Sequence, residues 1–290
     1  MKNLWGPHLY LPGNSATFIH HLPLIDIRCV VLDLEDAIPM SQKIQGLQLV
    51  KHAISYLREL APHFIIIVRI NRPDIFPELC TQEISTLVSS KPDAICIPFV
   101  SSEKEVLFVD ELITEAEEKY SIPSGSIALQ PMIESSRALI NIDQIAGASA
   151  RNEALALGGA DWRDTHGLNR LKSCRELDYV RTCMVTVAAE FELFALDTVF
   201  PWFEDAEAYE MDCENSRNIG ISGKAIATPA QIEITNRYLK PDDERLAWAK
   251  NLLSNLKTEV YFNEARQFYK DRFIDPKIIF QAKKILTYLD

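Results

Sequence analysis

Eight short apolar runs, each followed by a stretch of helical character, constrain this 290-residue chain more than any other feature. They fall at 9–13, 29–36, 64–71, 94–100, 127–134, 154–161, 193–198 and 223–229. Several are nearly continuous in Val, Ile and Leu, as in Phe64-Ile65-Ile66-Ile67-Val68. That pattern suits parallel strands covered on both faces. The intervening segments carry helix signals. Ser101-Ser102-Glu103-Lys104-Glu105 reads as the capped start of a helix reaching about Tyr120, and Ser135-Ser136-Arg137 opens another. Leu177, Val180, Met184, Val187 and Phe191 recur at helical spacing and predict a long helix over 173–192. Eight such units predict an α/β fold, a (β/α)8 TIM barrel over 1–240, an architecture that typically takes about 250 residues. An open doubly wound sheet is the alternative; it is weakened because no G-x-G-x-x-G or Walker-type loop occurs. The charged stretch after Pro241, with Trp248, Leu252, Leu253 and Leu256, predicts a helical extension over 241–290, packed on the barrel or on a neighbouring subunit.

Charge and composition narrow the function. The formal net charge of -11 lacks the basic face that phosphate backbones require, so nucleic acid is not the expected partner. No apolar run approaches a membrane span, and the start of the chain, Met1 to Pro7, has no apolar signal region, so the expectation is a soluble cytoplasmic protein. The six cysteines form no C-x-x-C pair and are expected to be reduced thiols rather than zinc ligands.

In a barrel the active site forms where strands end at the C-terminal face. Here the second run ends in Asp33, Glu35 and Asp36, the third in Arg69 and Asn71, the fifth in Glu134, the sixth in Asp161 and the seventh in Asp197. These positions are expected to converge on one mouth. Any single carboxylate among them also reads as a helix cap or surface charge; Asp33 also reads as a structural hydrogen-bonder and Asp197 as a cap. Taken together, crowded carboxylates repel unless a cation neutralises them. Glu134 and Asp161, one βα unit apart, are suited to one hard divalent ion, Mg²⁺ being the best match. Arg69 would clamp a substrate carboxylate or carbonyl oxygen. Of the histidines, only His166 falls near the expected mouth.

The ordered motifs Leu11-Pro12-Gly13-Asn14, Val31-Leu32-Asp33-Leu34-Glu35-Asp36-Ala37-Ile38-Pro39, Val68-Arg69-Ile70-Asn71, Ile133-Glu134-Ser135, Leu157-Gly158-Gly159-Ala160-Asp161, Ala195-Leu196-Asp197-Thr198 and Gly220-Ile221-Ser222-Gly223-Lys224 resemble the HpcH/HpaI aldolase and citrate lyase family, most closely its citrate lyase β-subunit-like branch. The resemblance covers about 9–240, with a weaker echo at Phe273-Ile274-Asp275. It implies a trimeric or hexameric barrel with Mg²⁺ on Glu134 and Asp161. It implies substrate held by Arg69, Glu134, Gly159, Ala160 and Asp161, with Glu35 and Asp36 organising metal water and Arg69. Asp275 would act as base in a neighbouring subunit's mouth, and Lys224 would serve a CoA thioester. The implied activity is carbon–carbon cleavage or formation between a 2-oxo acid and an acyl thioester, as in malyl-CoA, citramalyl-CoA or a citryl thioester. Three positions depart from the branch. Phe99 stands where Lys is usual, Thr228 where His is usual, and Ser222 where Arg is common. They keep two other readings open: a CoA-independent 2-oxo acid aldolase, and a catalytically degenerate barrel that binds a small acid or a partner protein.

Overall fold

The computed structural model describes residues 2–255, 267–269, 272–274 and 276–289. Strands β1 (Gly6–Pro12), β2 (Cys29–Asp33), β3 (Ile65–Arg69), β4 (Ala94–Ile97), β5 (Ala128–Ile133), β6 (Ala154–Leu157), β7 (Phe194–Asp197) and β8 (Gly223–Ile226) form a closed barrel in chain order. All pairs are parallel, and β1 closes on β8 through the register Gly6↔Gly223 to Leu9↔Ile226. The open-sheet alternative is therefore excluded. Closure leaves no unpaired strand edge.

The near-continuous apolar runs divide by alternation. Val30, Leu32, Ile66, Val68, Ile95 and Ile97 point outward into the layer shared with the helices. Cys29, Val31, Ile65, Ile67, Ala94, Cys96 and Met132 fill the barrel interior. The same parity sorts the charges at the strand ends. Asp33 and Arg69 pair in register and continue the inward series. Asp197 and Lys224, also paired in register, continue the outward one.

The helix over Glu103–Lys119 starts at a full capping box, Ser102 with Glu105. Ser135 caps Ser136–Ile140 through its hydroxyl, which accepts from the Ala138 N–H. The long helix expected over 173–192 is shorter: a 3₁₀ turn Arg175–Leu177 leads into Asp178–Glu190. Cys174, left-handed at φ 49°, interrupts it. Beyond the barrel, helices Asp243–Asn255 and Pro276–Leu286 flank an antiparallel ribbon of β9 (Gln267–Tyr269) and β10 (Arg272–Ile274). That ribbon was not expected; its aromatic and β-branched residues favour strand. The two helices close the N-terminal end of their own barrel. Ala249, Leu252, Ala282 and Ile285 join the interior cluster, and the Trp5 indole donates to the Lys284 carbonyl at 3.0 Å. No described helix is long and apolar enough to cross a membrane.

Candidate active site

A cavity of about 290 Å³ opens at the C-terminal end of the barrel. Tyr10, Asp33, Asp36, Arg69, Asp161 and the Gly158–Ala160 backbone line it, with Arg170 and Phe203 also in its wall. Arg69 is the centre of its charge arrangement. Its Nε and Nη2 donate to the two oxygens of Asp33 at 2.8 and 2.6 Å, and Nη1 pairs with Glu35 at 2.8 Å. Asp33 also accepts from the Glu35 and Ala37 N–H groups, so it holds both the guanidinium and the turn after β2. It is a structural hydrogen-bonder and also lines the cavity. Tyr10 stacks under Arg69, with the guanidinium carbon 5.6 Å from the ring centre. Its phenol is pushed well above the ordinary value, chiefly by burial.

The turn after β2 is fixed from below. Lys43 donates to the carbonyls of Leu34 and Glu35 at 2.7 and 2.5 Å. Asn71 is buried; it donates its side chain to the Leu34 carbonyl and is held by Glu83. It supports the loop rather than facing the mouth. Burial pushes Glu83 up to about 7.

Glu134 and Glu35 sit just behind the cavity wall, both nearly inaccessible to solvent. Burial, reinforced by Glu35, pushes the Glu134 carboxyl up to about 8, while Arg69 and the Phe99 N–H oppose the rise. Glu35 is pushed up to about 7 by burial against the pull of Arg69. Asp161, half-buried, is raised by burial and then by Asp36. Gly158 is required by Glu134: a Cβ there would stand 2.2 Å from the Glu134 Cγ. Gly159 is required by Thr198, whose hydroxyl accepts the Gly159 N–H at 3.0 Å. Gly159 thus serves by packing, and the Ala160 N–H, in the first turn of helix Gly159–His166, is left without an intrahelical acceptor.

The arrangement fits a hard cation. Glu134 Oε1 is buried with no hydrogen-bond partner, and the nearby donors are carboxylate oxygens. Among the described residues no three His, Cys, Asp or Glu side chains cluster as a metal cage. A two-carboxylate site, completed by water and substrate oxygens, suits Mg²⁺ rather than zinc.

Two sequence expectations fail geometrically. Asp197 and Lys224 do not reach the mouth; they face the helix layer, where both are fully buried. Arg181 reaches Asp197 and Asp212 at 2.8 and 2.9 Å, Lys224 pairs with Asp197 and with Asp212 (the latter at 2.8 Å), and the Ser216 hydroxyl donates to Asp197. Strand parity is the cause: Lys224 belongs to this buried ion cluster and not to the mouth, where the family pattern placed it. His166 stacks on Trp162 and bonds Ser136 instead of lining the cavity. Asp275 lies outside the described residues. Tyr10, Thr198, Gly158 and Arg170 were missed. Tyr10 was visible only as a polar residue inside the first apolar run, and Gly158 as the first of a glycine pair.

These features define a class of protein: a closed parallel barrel whose C-terminal mouth carries Arg69 amid a group of buried and half-buried carboxyls. The family HpcH/HpaI aldolase/citrate lyase matches residues 7–229, and the chain belongs to it. The citrate lyase subunit beta of Leuconostoc mesenteroides subsp. cremoris is 24% identical over 278 residues, covering 96% of this chain and 91% of that protein. The human mitochondrial citramalyl-CoA lyase is 26% identical over 292 residues, covering 96% and 84%. A crystal structure of the CitE protein of Mycobacterium tuberculosis, in complex with magnesium, acetoacetate and coenzyme A, superposes with a TM-score of 0.66 at 20% identity, covering 99% of each chain.

Proposed function

We propose that this protein is a Mg²⁺-dependent carbon–carbon lyase that interconverts a 3-hydroxyacyl thioester with an acyl thioester and a 2-oxo acid. The observation that carries the reading is the buried, unpartnered Oε1 of Glu134, in a carboxyl that feels both Asp161 and Arg69. Two relatives, a citrate lyase subunit beta and a citramalyl-CoA lyase, support the reaction class.

Glu134 and Asp161 would hold the ion, which when bound supplies positive charge for oxygen atoms that become negative as the bond breaks. Arg69, fixed by Asp33 and Glu35, presents a guanidinium that needs no reorganisation during reaction. The Ala160 N–H, in the first turn of helix Gly159–His166 at the cavity wall, would be available to the acid's carboxylate. Cleavage needs a base to take the hydroxyl proton; Asp275 in a neighbouring subunit is the candidate carried from the family pattern.

One observation favours a second reading, a CoA-independent 2-oxo acid aldolase. Lys224 is turned away and fully buried, and neither Ser222 nor Thr228 lines the cavity. The test is turnover of citramalyl-CoA, malyl-CoA and the corresponding free hydroxy acids, before and after metal removal by EDTA. Thioester cleavage restored by Mg²⁺ is expected. Cleavage of the free acids alone would establish the aldolase, and absence of turnover on all of them would overturn both.

A further inference from the structure

A second cavity, of about 360 Å³, opens at the opposite end of the barrel and shares no lining residue with the mouth. Trp5, Arg28 and His63 reach it from just before β1, β2 and β3, Asn236 and Lys240 from the end of helix Ile232–Leu239, and Tyr288 from the C-terminal turn. In a parallel barrel the reaction belongs to the C-terminal face, so lyase chemistry has no use for this end. Two cations, Arg28 and Lys240, share the wall with one carboxylate, Asp26, and among the described residues neither cation enters an ion pair. The Arg28 Nε and the Asn236 Oδ1 are buried with no hydrogen-bond partner. Buried polar atoms ordinarily have one, in the protein or in a bound molecule. The Lys240 ammonium lies 5.7 Å from the centre of the Tyr288 ring, so a charge and an aromatic face stand side by side. Gly6 keeps room for this wall: a Cβ there would stand 3.0 Å from the Asn236 Oδ1 and 3.6 Å from the Lys240 Cγ. Asn3 fixes the aromatic side, donating to the Tyr288 carbonyl at 3.1 Å and accepting the Trp5 N–H at 3.2 Å.

We propose that this cleft is a binding site for a small aromatic anion, a flat ring bearing a carboxylate or a phosphate, separate from the reaction at the mouth. The Arg28 fork and the Lys240 ammonium take the charge. Tyr288, with the Trp5 and His63 rings in the same wall, takes the ring. The volume is in the range of small-molecule sites, and an inorganic anion alone would leave most of it unfilled. Because the wall is already tied together through Asn3, little ordering cost remains when the ligand arrives. The ligand would join the barrel floor to the C-terminal turn, and it does not depend on the lyase reading.

The test is calorimetric titration of phenyl phosphate and benzoate, with inorganic phosphate and phenol as the charge and the ring alone, in EDTA so that no ion occupies the mouth. Both aromatic anions are expected to bind about tenfold or more tighter than inorganic phosphate or phenol, the scale of one buried ring face or one charge-assisted bond. Arg28→Gln and Lys240→Gln are each expected to weaken both by about tenfold. Tyr288→Leu is expected to bring phenyl phosphate down to the level of inorganic phosphate. Arg170→Gln, at the other end of the barrel, is expected to change nothing. Thermal melting of each variant reports its folding, and because Arg28, Lys240 and Tyr288 come from three separate elements, those that fold decide the matter. A tighter phenyl phosphate would mark the ligand as a phosphate ester, a tighter benzoate as a carboxylate. No binding of either aromatic anion, equal affinity for phenyl phosphate and inorganic phosphate, full affinity in folded Arg28→Gln and Lys240→Gln, or loss in Arg170→Gln instead would overturn the proposal.

Discussion

Two groups of charged residues stand at the ends of the barrel strands, and they behave in opposite ways. On the outer face, Arg181, Lys224, Asp197 and Asp212 match two positive charges with two negative, all fully buried. Arg181 and Lys224 hold Asp197 well below the usual carboxylate range, and Asp197 in turn raises Lys224. On the inner face, Arg69 confronts Asp33, Glu35, Asp36, Glu134 and Asp161, and several of these carboxyls are raised. A closed set of charges stabilises a fold; a set short of positive charge waits for a cation. Lys284 supplies the third case. It is buried like Lys224, but among the described residues it pairs with no carboxylate; it meets the Leu193 carbonyl and the Phe194 and Trp5 rings, and burial, with Arg245, pushes it down to about 7. Partners, not burial alone, set the direction.

The largest expected effect lies in the closed set. Lys224→Met should cost about 3–5 kcal/mol in denaturant unfolding, because it strands a carboxylate in a dry layer. Adding Asp212→Leu should recover part of that loss, since neutrality returns. A double variant as unstable as the sum of its parts would break the contrast. In the open set, Asp161→Asn keeps the shape and removes the charge; Mg²⁺-dependent thioester turnover should fall by more than ~100-fold, with little change in melting temperature.

Lys284 gives the pH dependence. Its folded value is about 7 against 10.5 for the free side chain. Between these the unfolded chain binds the extra proton, so this residue's contribution to stability rises with pH across that window. Lys284→Met should therefore be more stable than the unaltered protein near pH 7, by on the order of 2 kcal/mol after the lost carbonyl bond is subtracted. The advantage should shrink toward pH 10. Parallel stability–pH curves for the two proteins would refute this. The smallest effect is steric. Gly158→Ala must displace Glu134 and should weaken Mg²⁺ binding by about tenfold, read by calorimetry, with no change of charge.

The barrel was legible because eight apolar runs each match a strand, and the capping box at Ser102 marked a helix start within a residue. The mouth was legible where polar residues continue an inward series, as Asp33, Arg69 and Glu134 do, and where Asp161 follows in the first turn of the helix after β6. Asp197 and Lys224 were misplaced because a strand-end charge in a short run does not reveal its parity, and one residue reverses its face. Tyr10 and Thr198 were illegible because each depends on contacts between distant strands and loops.

The most direct test of the contrast is a calorimetric titration of Mg²⁺ into metal-stripped protein, with a 2-oxo acid present, for the unaltered chain, Glu134→Ala and Asp212→Asn. The account predicts one ion per chain in the unaltered protein, none in Glu134→Ala, and one ion at nearly unchanged affinity in Asp212→Asn below its melting temperature. Retention of the ion in Glu134→Ala, or its loss in folded Asp212→Asn, would contradict the account.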